Sequence, residues 1–316
     1  MSAASFFHAG QDLAWYRAMS NSDDHLTEGA RSLLELSDEE RIHGLYGYRW
    51  IGYPRAKDIL SKLEQLISRP RVQRMKNLLI VGDSNNGKSE ILQRFQALHP
   101  GDDNPDSESI TLPVMMVQAP PGPDEGRLYE GILQKLGAPV KSKDAPGRKF
   151  HQVSTVLERI GTKMFILDEL HNVLAGGSAA QHRFCNALRF IGNELQISIA
   201  AAGIDDAFNL LRSDDQLANR FDSMLLPRWT NDDDYLRLLA SFETVLPLRN
   251  VSNLNEEEIA TKLLSMSEGL IGELSTILNE AAELAIRTKR ERIDLDLLKK
   301  LRWQQPSNRK FKTPPQ

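Results

Sequence analysis

The feature that most constrains this chain is the stretch NLLIVGDSNNGKSEILQRF at residues 77–95. Gly82, Gly87, Lys88 and Ser89 fit G-x-x-x-x-G-K-[ST], the pattern of a phosphate-binding loop. Leu78 to Val81 is an apolar run that predicts a buried strand. Ser89 to Leu98 carries Ile91, Leu92 and Phe95 at helical spacing. In a strand-loop-helix context, small residues let successive backbone N–H groups converge on phosphate oxygens. The helix that follows presents unpaired donors and its positive dipole end to the same anion. The residues expected around a nucleoside triphosphate are Gly82, Asp83, Ser84, Asn85, Asn86, Gly87, Lys88, Ser89 and Glu90. Lys88 would reach the β- and γ-phosphates, and Ser89 would offer its hydroxyl to Mg²⁺.

A loop of this kind needs a carboxylate to hold the metal, and KMFILDELHN at residues 163–172 supplies one. Met164 to Leu167 is short and apolar enough for a central strand. It delivers Asp168 and Glu169 at its end. Asp168 is expected to hold Mg²⁺, directly or through water, and Glu169 to orient and polarise the attacking water. His171 and Asn172 follow. Either a functional role or simple packing and capping of the next segment fits them.

Composition sets limits rather than an answer. The chain has 316 residues, 41% hydrophobic and 26% charged, with a net charge of −4. That is ordinary for a globular protein. Any nucleic-acid contact must come from a local basic patch. The single cysteine, Cys185, lies in a helix-like segment and reads as a small buried hydrophobe. It cannot form an internal disulfide, which suits a reducing cytoplasm. No apolar run approaches a membrane span, and the N-terminus lacks a secretory signature.

Along the chain, strands alternate with helices through the middle. Ile59, Leu63, Leu66 and Ile67 mark a helix that Pro70 ends. PVMMVQA at 113–119 reads as a second strand, DEGRLYEGILQKLG as a helix, and residues 138–150 as a basic loop. A helix to Ile160, the KMFILD strand, a helix near 180–194 and the strand ISIAAAG complete a three-layer α/β pattern with a parallel sheet. Residues 99–110 read as a surface loop. After Pro227 the pattern becomes helical, with helices expected at 232–246, within LNEEEIATKLLSMS and LIGELSTILNEAAELAIR, and at DLDLLKKL. Residues 303–316 hold Pro, Gln, Asn, Arg and Lys with no acid, and read as a mobile tail. The expected boundaries are 1–49 for an N-terminal helical extension, 50–228 for the core, 229–302 for a helical lid and 303–316 for the tail.

An α/β nucleotide core followed by a helical bundle resembles the AAA+ P-loop ATPases. RWIGYPRAKDILSKLEQLISRP, NLLIVGDSNNGKS, ILDELHN and LANRFDSMLLPRW together resemble the TniB/TnsC-type ATPases that assist DNA transposition. The resemblance implies an ATP- and Mg²⁺-dependent, DNA-binding regulator. Such a protein would assemble as a ring or helical filament on duplex DNA, recruit a transposase and work with a target-selection adaptor. It also implies that Tyr53 and Pro54 lie beside the adenine; fixing the start of the next helix is the alternative. Arg220 becomes the arginine-finger candidate, acting on a neighbouring subunit's γ-phosphate, with a surface ion pair as its alternative.

Two departures from the AAA+ pattern are visible. The strand before the finger ends AAAG and has only Ser198, near its start, as a polar residue. The lid motif GLIGELS places Glu273 where the family commonly has an arginine. Both suggest slow hydrolysis. For DNA, the resemblance favours the basic loop of the core, Lys141, Lys143, Arg148 and Lys149, with Arg127 as a lesser candidate; a solvated charged face is the alternative for each basic cluster. Arg287, Lys289, Arg290 and Arg292, and Arg309, Lys310 and Lys312, form two further basic clusters; the last is favoured for protein contact. A nucleotide-dependent scaffold with little hydrolysis, and a replication or helicase-loading ATPase, are the rival readings.

Overall fold

The computed structural model describes residues 25–102, 110–212 and 215–309. The tips of the 99–110 loop and of the C-terminal tail, with Lys310 and Lys312, lie outside these residues, as do residues 1–24. In chain order the main elements begin with α1 (Glu28–Leu33) and α2 (Asp38–Leu45). Next come α3 (Pro54–Ile67), β1 (Asn77–Gly82), α4 (Lys88–Leu98) and β2 (Val114–Gln118). They are followed by α5 (Glu125–Lys135), α6 (Pro146–Arg159), β3 (Met164–Asp168), α7 (Ser178–Glu194) and β4 (Ser198–Gly203). The chain continues through α8 (Asp205–Arg212), β5 (Phe221–Leu226), α9 (Asp233–Val245), α10 (Glu257–Ser267), α11 (Ile271–Arg287) and α12 (Leu295–Lys300).

Two compact units result. One is Pro54–Arg228; the other joins the described residues up to Tyr53 with those from Trp229 onward. Residues 25–49, expected as part of an N-terminal extension, and residues 50–53, expected in the core, thus share a unit with the C-terminal helices.

In the first unit five strands pair in the order β2-β3-β4-β1-β5, and every pairing is parallel. Helices cover both faces, so β1, β3 and β4 are buried along their whole length. This is why they read as unbroken apolar runs and not as alternating ones. Leu79, Val81, Met115, Val117, Phe165, Leu167, Ile199 and Ala201 pack with residues of α5, α6 and α7 in one core. The alternate positions face α3 and α4. β5 is the strand the sequence pattern missed. Its Asp222, Ser223 and exposed Leu225 break any apolar run, as an edge strand allows. All strands run the same way, so β1 and β3 deliver their C-terminal residues to one edge of the sheet. That is where open α/β sheets bind ligands.

The second unit is held by buried charge as well as apolar packing. Arg41 is 1% exposed; it pairs with Glu291 at 2.6 Å and donates to the Pro247 carbonyl at 2.7 Å. Glu243 accepts from the backbone N–H groups of Ser252, Asn253 and Leu254. Residues 303–309, expected to be mobile, are docked. Trp303 Nε1 donates to the Met266 carbonyl at 2.9 Å, and Gln305 Nε2 to that of Ser265 at 2.9 Å. Arg309 pairs with Glu273 at 2.8 Å and stacks over Trp303. The anchors lie on α10 and α11, so the local polar composition does not reveal them. Among the described residues no helix is long and apolar enough to cross a membrane.

Candidate nucleotide site

The loop after β1 has the backbone its motif demands. Gly87 sits at φ 85° and Asn85 at φ 60°, left-handed conformations that glycine and asparagine tolerate best. Gly82 is required for a different reason. A Cβ there would lie 2.6 Å from the Leu226 carbonyl oxygen, so the loop's first residue touches the end of β5. Asn86, 1% exposed, extends the same contact: its Nδ2 donates to the carbonyls of Leu226 at 2.8 Å and Pro227 at 3.0 Å. Arg228 Nε then donates to Asp83 Oδ2 at 2.6 Å. The loop is therefore braced along one side by the chain leaving β5. Leu226, Pro227 and Arg228 carry no local signal for this role, because they are 140, 141 and 145 positions from the loop residues they meet.

α4 begins at Lys88 with no side-chain cap on its first turn, leaving backbone donors for an anion. Lys88 is 5% exposed, and its ammonium donates to the carbonyls of Gly82 at 2.8 Å and Asp83 at 2.7 Å. Burial lowers its pKa from 10.5, opposed by the charges of Glu169, Asp168, Asp83 and Asp205. The parallel sheet brings the ends of β1 and β3 to one edge, where these carboxylates favour the charged lysine. Asp205, the first carboxylate after β4, was also overlooked. Ser89 is half-buried and Glu90 exposed, as are Asp83, Ser84 and Asn85.

At the end of β3, Asp168 is buried, and its Oδ1 accepts the Glu169 N–H at 2.8 Å. Glu169 itself sits at φ 56°, a conformation uncommon for a residue with a Cβ. That turn carries the chain sharply out of the strand into a 3-10 turn over Leu170–Ala175. Glu169 Oε2 lies 2.9 Å from His171 Nε2. Asn172 Nδ2 donates to the Ala119 carbonyl at 3.3 Å, tying the exits of β3 and β2 together. Ser89 and Asp168 offer a hydroxyl and a carboxylate, the hard oxygen donors that Mg²⁺ takes alongside phosphate oxygens and water. The residue types therefore fit the metal.

The other candidates are Tyr53, Pro54 and Arg220. Tyr53 belongs to the second unit; its ring is 6% exposed and packs edge-on against Trp229 at 5.1 Å. Pro54 opens α3 and is exposed. Arg220 precedes β5, at the opposite end of the sheet from the phosphate loop, and its Nη1 donates to Asn193 Oδ1 at 2.7 Å.

The basic loop is also revised. α6 starts at Pro146, so Lys149 falls on its first turn and faces α5. Lys149 is 4% exposed; it pairs with Glu130 and donates to the Ser142 carbonyl at 3.0 Å. It cannot reach a DNA phosphate, and instead anchors the loop. Lys141, Lys143 and Arg148 are exposed, as is Arg127. Arg287, Lys289, Arg290 and Arg292 each face a carboxylate: Glu39, Asp38 and Asp294 between them.

Comparison with known proteins then decides the family. The family described as "Bacterial TniB protein" matches residues 41–231, well over half of the chain. The chain belongs to the TniB family. No curated protein matches it. Among solved structures, the TniB-family chain is similar to the Aeropyrum pernix ORC2 protein in its ADPNP-ADP complexes. There the TM-score is 0.56 at 15% identity, over 81% of this chain and 70% of that one. It is also similar to the Aeropyrum pernix ORC1 protein in complex with DNA, with TM-score 0.53, 17% identity, and coverage of 82% and 67%. Cdc6p from Pyrobaculum aerophilum gives TM-score 0.53 at 14% identity, over 82% and 68%. At such identities the likeness concerns the fold. The fold of this TniB-family chain is that of the AAA+ P-loop NTPases, as its motifs led one to expect.

Proposed function

We propose that this TniB-family chain is an ATP-dependent regulator of DNA transposition. It binds ATP with Mg²⁺, joins further copies of itself in a ring or helical filament on duplex DNA, and passes that site to a transposase, with a target-selection adaptor as a further partner. One observation carries the reading: a buried lysine on a braced phosphate loop lies at the sheet edge to which the parallel β3 delivers Asp168 and Glu169. In this scheme Lys88 and the loop N–H groups hold the phosphates, and Ser89 and Asp168 hold the metal. Glu169 takes a proton from water as its oxygen bonds to the γ-phosphorus; the bond to the bridging oxygen breaks, leaving ADP and phosphate.

Arg220 supports assembly. β5 spans six residues, roughly 20 Å of strand, between Arg220 and the edge that carries the chain's own site. Arg220 therefore serves a neighbouring copy, whose developing γ-phosphate charge its guanidinium would neutralise. Contacts of that head-to-tail kind close into rings or run on as filaments. Lys141 and Lys143, with Arg148 and Arg127, are the proposed DNA contacts. The DNA-bound ORC1 relative makes such an interface reasonable for this fold.

A nucleotide-dependent scaffold with little turnover is the second reading. It draws on a β4 that ends in Ala200, Ala201, Ala202 and Gly203, with no polar side chain facing the site. Incubating the purified chain with duplex DNA, Mg²⁺ and a non-hydrolysable ATP analogue, followed by sedimentation and electron microscopy, tests the proposal. Large DNA-bound assemblies that Lys88→Ala fails to form are expected. A chain that remains a monomer and leaves DNA free overturns it.

A further inference from the structure

The residue left over by the proposed chemistry is His171. We infer that His171 is a positioning residue for Glu169: its imidazole sets the direction in which the carboxylate faces the attacking water. The inference rests on the proposed hydrolytic role of Glu169.

Three observations carry it. First, His171 Nε2 lies 2.9 Å from Glu169 Oε2, a hydrogen-bond distance that engages one carboxylate oxygen. Secondly, the ring is held on a rigid turn. Glu169 is in the left-handed conformation, the Asn172 N–H closes back on the Glu169 carbonyl at 2.9 Å, and Asn172 is tied to Ala119. Thirdly, the ring's other nitrogen, Nδ1, is buried and has no hydrogen-bond partner among the described residues. A histidine kept only for packing would be expected to satisfy both nitrogens or to be replaced by an apolar ring, since an unpaired buried polar atom costs stability. Among the described residues, the ring's one polar contact is to the carboxylate.

The position of the turn explains why the task falls to this residue. A Cβ added at Gly203 would lie 3.6 Å from the His171 backbone nitrogen, so the turn packs against the exit of β4. β4 contributes only alanines and glycine there, and has no side chain able to hold a carboxylate. The polar group that orients Glu169 comes from the β3 turn.

Orientation matters because a general base works only with its lone pair aimed at the proton it accepts. Misplacement by about 1 Å can cost on the order of 100-fold in rate. The tests are His171→Ala and His171→Gln, each made in the wild-type chain and in Glu169→Gln. ATP turnover is measured together with the affinity for a fluorescent ATP analogue. Glutamine places an amide donor near the Nε2 position.

His171→Ala is expected to lower kcat about 10-fold or more, with KM and nucleotide affinity unchanged. His171→Gln should recover most of the loss. Neither should change the residual rate of Glu169→Gln, because His171 acts only through that carboxylate. His171→Ala as fast as wild type, beside a crippled Glu169→Gln, overturns this inference alone. So does an equal loss in both backgrounds, or a loss that appears as weakened nucleotide binding. Glu169→Gln as fast as the wild-type chain overturns the proposed base, and this inference with it.

Discussion

Gly82 is where a single atom decides the site. Its missing Cβ leaves room for the Leu226 carbonyl, which would otherwise be 2.6 Å away. Gly82→Ala is expected to destabilise the chain by about 1–3 kcal/mol, because backbone and not a flexible side chain stands in the way. Denaturant unfolding measures this, and an unchanged midpoint would contradict the bracing of the loop by β5. Lys88 gives a second test at this scale. Burial holds its ammonium below the usual 10.5. A bound triphosphate favours the charged form, so binding takes up protons wherever the lysine is partly neutral. ATP affinity should therefore fall as pH rises through the lowered value, earlier than an ordinary lysine would require. Nucleotide titrations across the alkaline range read the effect directly. If the affinity is flat until pH nears 10.5, Lys88 is not desolvated as described. At this scale the strand, loop and helix of the motif were legible because their residues adjoin in the chain, and Asp168 ends its own strand. The braces Asn86–Leu226 and Asp83–Arg228 were not legible, since their partners are brought together only by the sheet.

Among the elements, the α5–α6 connection shows how far composition can mislead. Lys141, Lys143, Arg148 and Lys149 look alike in sequence, yet α6 turns Lys149 inward onto Glu130. The two kinds of lysine should behave differently. Replacing Lys141 and Lys143 by Glu should weaken duplex binding and reduce the slope of log affinity against log salt by about 2, roughly one for each phosphate no longer neutralised. An unchanged slope would make the pair a solvated face only. Lys149→Ala should instead destabilise the fold by about 2–4 kcal/mol, because it strands the Glu130 carboxylate against α6. Thermal or denaturant unfolding without DNA checks that. β1, β3 and β4 were legible from their apolar runs, while β5 was not, because an edge strand may show polar residues on its faces. The segment 303–309 was misread for a related reason. Its anchors, Met266, Ser265 and Glu273, lie on helices that local composition cannot reach.

The whole molecule joins a parallel-sheet unit to a helical unit built from both ends of the described chain. That second unit was only half legible. Its helices follow their periodicity, but the pairing of Arg41 with Glu291 spans 250 positions and leaves no local signal. For function, the decisive geometry is the separation of Arg220 from the chain's own phosphate loop by the length of β5. An active site in the proposed assembly then needs two copies: one supplies Lys88 and the carboxylates, the other supplies Arg220. Mixing tests this most directly. Lys88→Ala and Arg220→Ala chains, each inactive alone, are combined with duplex DNA and assayed for ATP hydrolysis. Shared sites predict that the mixture recovers activity, as Arg220→Ala phosphate loops meet the intact arginines of Lys88→Ala neighbours. A mixture as inactive as its components would contradict the account.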